Sequence, residues 1–116
     1  MFLHGGAFQY GSANDWPGHV LASKGVVVVT LNYRLGALGS YRLCRAYTTD
    51  YRKGFLATGA KATGNMGVLD QRAALEFVRD HIYAFGGDAS RVTLVGHGAG
   101  AVSAGLHMLS PLSRSE

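Results

Sequence analysis

Residues 94–102 read LVGHGAGAV, and the fold turns on how this stretch is understood. It continues a β-branched run, RVTLVG at 91–96, that has the composition of a buried strand. Small and apolar residues over 99–109 then suit a helix that ends before Ser110 and Pro111. A strand that becomes a helix within a few residues needs a tight turn. Glycine is the residue that permits both φ > 0 and close backbone approach. Gly96, Gly98 and Gly100 supply it, so the stretch predicts a strand near 91–95, a sharp turn and a helix over 99–109. Gly98, at the tip of that turn, has no side chain to present.

Working outward, GVVVVTL at 25–31 is a continuous β-branched run closed by Asn32, which predicts a strand over 26–31 buried on both faces of a parallel sheet. The opening residues 1–4 read as a third strand running into Gly5 and Gly6. Ala74, Phe77, Val78, His81, Ile82 and Phe85 recur at helical spacing, with Arg72, Glu76, Arg79 and Asp80 opposite them. They predict an amphipathic helix over 68–85 stopped by Gly86 and Gly87, and a shorter helix is expected over 17–24. Strand and helix alternate, the order of an α/β fold with a mostly parallel sheet and crossover helices. Such sheets place their chemistry at the strand carboxyl ends, where both glycine turns fall.

The chain has 116 residues, 47% of them hydrophobic, within the range of one domain. Because MFLHGG begins in what reads as mid-strand, the chain is expected to be a piece of something longer. No apolar run approaches the roughly 20 residues that span a bilayer, so membrane contact is expected only through segments outside this chain. Of the net charge of +4, +3 lies within residues 40–54, where Arg42, Arg45, Arg52 and Lys53 face a single Asp50. That confinement to one loop argues against a nucleic-acid surface. The single Cys44 can form no internal disulfide and identifies no redox compartment.

Five motifs in order carry a resemblance: HGGAF at 4–8 with Gly11 and Ser12, NYRLGALG at 32–39, GNMGVLDQRAALEFV at 64–78, FGGDASRVTLVGHGAG at 85–100, and MLSPLS at 108–113. Together they resemble the type-B carboxylesterase and cholinesterase family of α/β-hydrolases. The resemblance implies a partial α/β-hydrolase fold, with residues 1–116 the central fragment of a type-B carboxylesterase domain. It makes Gly96 and Gly100 the flanks of a nucleophile elbow, and Gly5, Gly6 and Ala99 the counterparts of the backbone donors of an oxyanion hole. The family's catalytic acid and histidine would lie beyond residue 116. At the centre the sequence departs: where the family has Gly-Glu-Ser-Ala-Gly, Gly96, His97, Gly98, Ala99 and Gly100 stand here. No acyl-enzyme can form on glycine, and losing a triad nucleophile typically lowers turnover about a millionfold.

Members of the family that lack the serine include neuroligins, gliotactin, glutactin and neurotactin, which are cell-surface adhesion proteins. The resemblance therefore implies a non-catalytic, cholinesterase-like ectodomain, extracellular or at the cell surface, whose partner is another cell-surface protein. The competing reading is a type-B serine carboxylester hydrolase whose gene has decayed or was misread at the elbow. A third class arises because Gly96-x-Gly98-x-x-Ala101 also satisfies a dinucleotide fingerprint, with Glu116 twenty residues beyond Gly96. That acid should end a second strand, and MLSPLSRSE offers no apolar run to form one.

Several side chains have both a chemical and a structural reading. His97 could replace the nucleophile or bind a metal, but no second ligand stands at metal spacing, and packing is the simpler role. No metal or cofactor is expected. Ser103 lies more than a turn into the helix and reads as a small packing residue. His4 reads as a packed strand-end histidine, Asp70 and Gln71 as a helix-start pair with the acid at the positive dipole end. Asn32 and Arg34 read as loop braces, while Tyr10 and Trp16 could line a gorge or simply be exposed. Finally, SYRLCRAYTTDYRKG at 40–54 interrupts the family pattern, which resumes at Phe55. It is either a surface-loop insertion or a gene-model artefact, and the clean join favours the artefact.

Overall fold

Residues 1–36 and 64–113 are described by the computed structural model. The sheet is built around Phe2–Leu3 (β1), which runs parallel to Val95–Gly96 (β2) with Phe2 opposite Val95 and Leu3 opposite Gly96. Pairing continues past these ends: the amino terminus donates to the Thr93 carbonyl (2.7 Å), Val95 to that of Met1 (2.8 Å) and His97 to that of Leu3 (3.2 Å). On its other side β1 meets the segment after residue 25, where Phe2 donates to the Val29 carbonyl at 2.8 Å and forms a single parallel bridge with Thr30. β1 is thus central, and the segments that follow it in sequence flank it.

The strand expected over 26–31 is reduced to that bridge, and the expectation that it is buried on both faces is corrected as well. Among the described residues it has a neighbour on one side only, and Val26 and Val27 stand 53% and 38% exposed there, so neither ladder bonds nor packing from these residues hold its first half extended. The strand near 91–95 likewise shifts to Val95–Gly96, because Ala89–Arg91 is a 3₁₀ turn started by the Asp88 side chain, which accepts from the Ser90 amide. The one near 1–4 shortens to Phe2–Leu3.

The helices follow the pattern more closely. His19–Ala22 (α1) is a single turn, shorter than expected over 17–24 and ended by Gly25 at φ 79°. Met66–His81 (α2) begins two residues before the expected start, from Asn65 in the left-handed region. It gives way at Ile82–Phe85 to a 3₁₀ turn, a common way for a helix to tighten at its end. Gly86, at φ 78°, then closes it by donating to the Tyr83 carbonyl. Ala99–Leu109 (α3) matches its expected bounds and packs on β1 and β2.

Among the described residues the buried apolar ones are few: Leu3, Tyr33, Val78, Ile82 and Ala99. Four polar side chains are buried among them, His4, Gln71, Ser103 and His107. The expected irregular, exposed stretch at 40–63 and the interruption at 40–54 lie outside the described residues.

Candidate functional site: a glycine elbow facing a glycine turn

Residues 97 and 98 alone connect β2 to α3. Gly98 achieves the reversal at φ 54°, ψ −117°, outside the main allowed regions, where a residue with a side chain is strained. A Cβ built there would still find room, its nearest neighbour being the Gly5 Cα at 3.9 Å. The flanking glycines are needed for a different reason. A Cβ on Gly96 would overlap the Gly100 carbonyl, and one on Gly100 would overlap the Leu3 carbonyl and come within 2.9 Å of the His4 oxygen. Gly100 thereby lets the first turn of α3 lie directly on β1.

The facing turn is Gly5 and Gly6, and its carbonyls are all engaged. Tyr33 donates its hydroxyl to the His4 carbonyl at 2.6 Å, and His4 Nδ1 donates to the Gly5 carbonyl at 2.8 Å. The Gly6 carbonyl accepts from the Gln9 and Tyr10 amides at 2.9 and 3.1 Å. In a trans peptide the N–H points opposite the C=O of the same plane. Tying down the carbonyls of residues 4 and 5 therefore fixes the directions of the Gly5 and Gly6 N–H groups. The same logic holds at α3: the Gly98 carbonyl accepts from Ala101 and Val102, so the Ala99 N–H is one of the helix's unpaired first amides, pointing off its end. Ala7 and Phe8 follow at φ 53° and 60°, two non-glycine residues in the left-handed region. Such strain, about 1–2 kcal/mol each, persists only where the surroundings impose it.

The side chains singled out by sequence are placed as follows. His97 leans on Trp16, ring centroids 5.1 Å apart, and Trp16 in turn packs on Phe2 at 4.8 Å. The His97 oxygen and Nδ1 would lie 2.7 and 2.9 Å from a Cβ on Gly5, so this residue closes over the glycine turn. Tyr10 is exposed. His4 is buried and stacked on Tyr33 at 4.6 Å, and its Nε2 has no hydrogen-bond partner among the described residues. Asn32 accepts from the Ala13 amide at 2.8 Å. Among the described residues no three His, Cys, Asp or Glu side chains are grouped to hold a metal ion, and no helix is long and apolar enough to cross a membrane.

The helix-start role expected of Asp70 and Gln71 is corrected. Asp70 stands a full turn inside α2 and grips Arg34, accepting from its Nε at 2.7 Å and its backbone amide at 3.0 Å. That pairing strengthens the hold of Arg34 on its proton. Gln71 is fully buried and donates to Ser103 at 3.1 Å. Sequence reasoning missed Tyr33 and His107. Both find their partners far along the chain, and no local pattern encodes a contact across 29 or 36 positions.

The carboxylesterase family model matches residues 1–116 in full. This chain belongs to the carboxylesterase family. It is 55% identical to the neuroligin-like protein glit-1 of Caenorhabditis elegans, over 98% of this chain and 14% of that protein. With the acetylcholinesterase of Electrophorus electricus it shares 44% identity, over 98% of this chain and 16% of the enzyme. A solved thermophylic PNB esterase superposes with a TM-score of 0.73 at 37% identity, covering 97% of this chain and 21% of that one. The chain is therefore an α/β-hydrolase-type, cholinesterase-like carboxylesterase family sequence that spans about one-seventh of the neuroligin-like relative. This membership lends the dinucleotide fingerprint no support.

Proposed function

We propose that this chain is the central part of a cholinesterase-like domain that hydrolyses no ester and acts at the cell surface, as the ectodomain of an adhesion or junction protein. One observation supports the reading: strand passes to helix through residues 97 and 98 alone, with Gly98 at φ 54°, ψ −117°, and Gly98 offers no oxygen at the position the resemblance gives to the nucleophile. The candidate oxyanion donors Gly5, Gly6 and Ala99 stabilise an intermediate that nothing at position 98 can start forming. Similarity to the neuroligin-like protein, and 46% identity to mouse neuroligin-2, supports another cell-surface protein as the partner, met outside the cell. On this reading residues 40–54 are a gene-model artefact or a surface insertion within the domain.

A second reading, a type-B serine carboxylester hydrolase misread or decayed at codons 97 and 98, draws on two observations. The acetylcholinesterase similarity is nearly as extensive, and a side chain at 98 has room. Resequencing separates the two, since recovery of Glu-Ser selects the enzyme. The functional test is burst release of p-nitrophenol from an acetyl or butyryl ester by the full-length protein. No burst and no organophosphate labelling are expected, and a burst from the unmodified Gly98 protein overturns the proposal.

A further inference from the structure

Beneath the elbow, α2 and α3 are joined by a buried chain of neutral polar groups whose proton positions follow from one another. Gln71 Nε2 donates to Ser103 Oγ, which turns Gln71 Oε1 towards His107 Nε2 at 3.1 Å. A carbonyl oxygen can only accept, so Nε2 carries the imidazole proton. Nδ1 is then an acceptor, and Ser113 Oγ, 2.9 Å away, donates to it. The chain therefore crosses from α2 to α3 and on to the turn after α3. Gln71, Ser103 and His107 are 0%, 0% and 5% exposed.

We propose that this chain is an acid-sensitive latch, closed while His107 is neutral and released when the ring is protonated, which frees α3 and its following turn from α2. The hydrogen bonds themselves could survive protonation, because the Ser113 hydroxyl can turn to accept. What the site lacks, among the described residues, is a carboxylate to compensate the charge. His107 borders a largely apolar open groove of about 260 Å³ lined also by Leu75 of α2, Val92 and Leu94 of the approach to β2, Met108 of α3 and Ser113 of the turn after it. Among the described residues the carboxylates of these elements are engaged elsewhere, Asp70 with Arg34, Glu76 with Arg72, Asp80 with Arg79 and Asp88 with Arg91. Burial alone accordingly holds the ring's pKa below its ordinary 6.5. The sign follows: a folded state that resists protonation keeps its full advantage above 6.5 and loses it as pH falls below that value. α3 begins at the elbow, so the released element is the one that holds Gly98 against Gly5. None of this depends on whether position 98 is catalytic.

Hydrogen–deuterium exchange with mass spectrometry tests it on the full-length protein containing these residues. Exchange at the His107 Cε1–H gives the ring's titration midpoint, and amide exchange in peptides covering 99–113 gives the opening. A midpoint below 6.5 is expected. Amide exchange, corrected for its intrinsic pH dependence, should rise between pH 7.5 and 5 by up to about tenfold for each unit of that depression. The rise should vanish in His107→Gln. A midpoint at or above 6.5, or an equal rise in the variant, overturns the proposal. If His107→Gln fails to fold, the unmodified protein decides: amide opening that does not track the ring's titration refutes the latch.

Discussion

Replacing Gly98 by alanine isolates the backbone cost of the elbow, because the added methyl meets nothing closer than the Gly5 Cα at 3.9 Å. At φ 54°, ψ −117° a residue with a Cβ is strained by about 1–3 kcal/mol. Alanine also restricts the unfolded chain, which returns about 0.4–1 kcal/mol. The balance is a destabilisation of about 1–2 kcal/mol, measured as a shift in urea midpoint of the full-length protein at unchanged slope. Gly100→Ala is the contrast, since its methyl would sit on the Leu3 carbonyl and α3 could accommodate it only by lifting off β1. That variant should lose more than about 4 kcal/mol or fail to fold. If Gly98→Ala proves as stable as the parent, the turn is not held at positive φ and the elbow argument fails. If it costs as much as Gly100→Ala, something fills the space above Gly5.

Tyr33→Phe removes the only side-chain donor to the buried His4 carbonyl among the described residues and should cost about 1–3 kcal/mol in the same assay. In the parent, burial raises the Tyr33 phenol above 10, so its ultraviolet ionisation midpoint should exceed that of an exposed tyrosine; ionisation at 10 would contradict the buried placement. Asp88 is held down to about 2 by the Ser90 hydroxyl, then by Arg91 and the Ser90 amide. Its contribution is present above about 3.8 and lost as pH falls towards 2, so Asp88→Asn should flatten the stability profile across that window alone.

The tight turn and α3 were legible in sequence because their signals are local: three glycines in five residues at a strand end, then small apolar residues to Pro111. The valines at 26–29 misled because composition reports what a segment could bury, whereas strand formation needs neighbours on the sheet. The pair at 70 and 71 misled in another way. Position near a helix start suggested a role in that helix, but each side chain reaches out of it, Asp70 to the loop at Arg34 and Gln71 to α3. Long-range polar partners of this kind leave no periodicity to detect.

The strained dihedrals of Gly98 give the turn a direction in evolution. Where a serine occupies such a position, exchanging it for glycine relaxes the backbone, so the change needs no compensating substitution and can spread through a lineage once hydrolysis is no longer selected. The reverse change meets the strain again and must be accepted at a loss of stability before any activity can reward it. On the proposed reading, a scaffold with such a turn sheds a nucleophile more readily than it regains one, while the glycines at 96 and 100 stay fixed by packing alone.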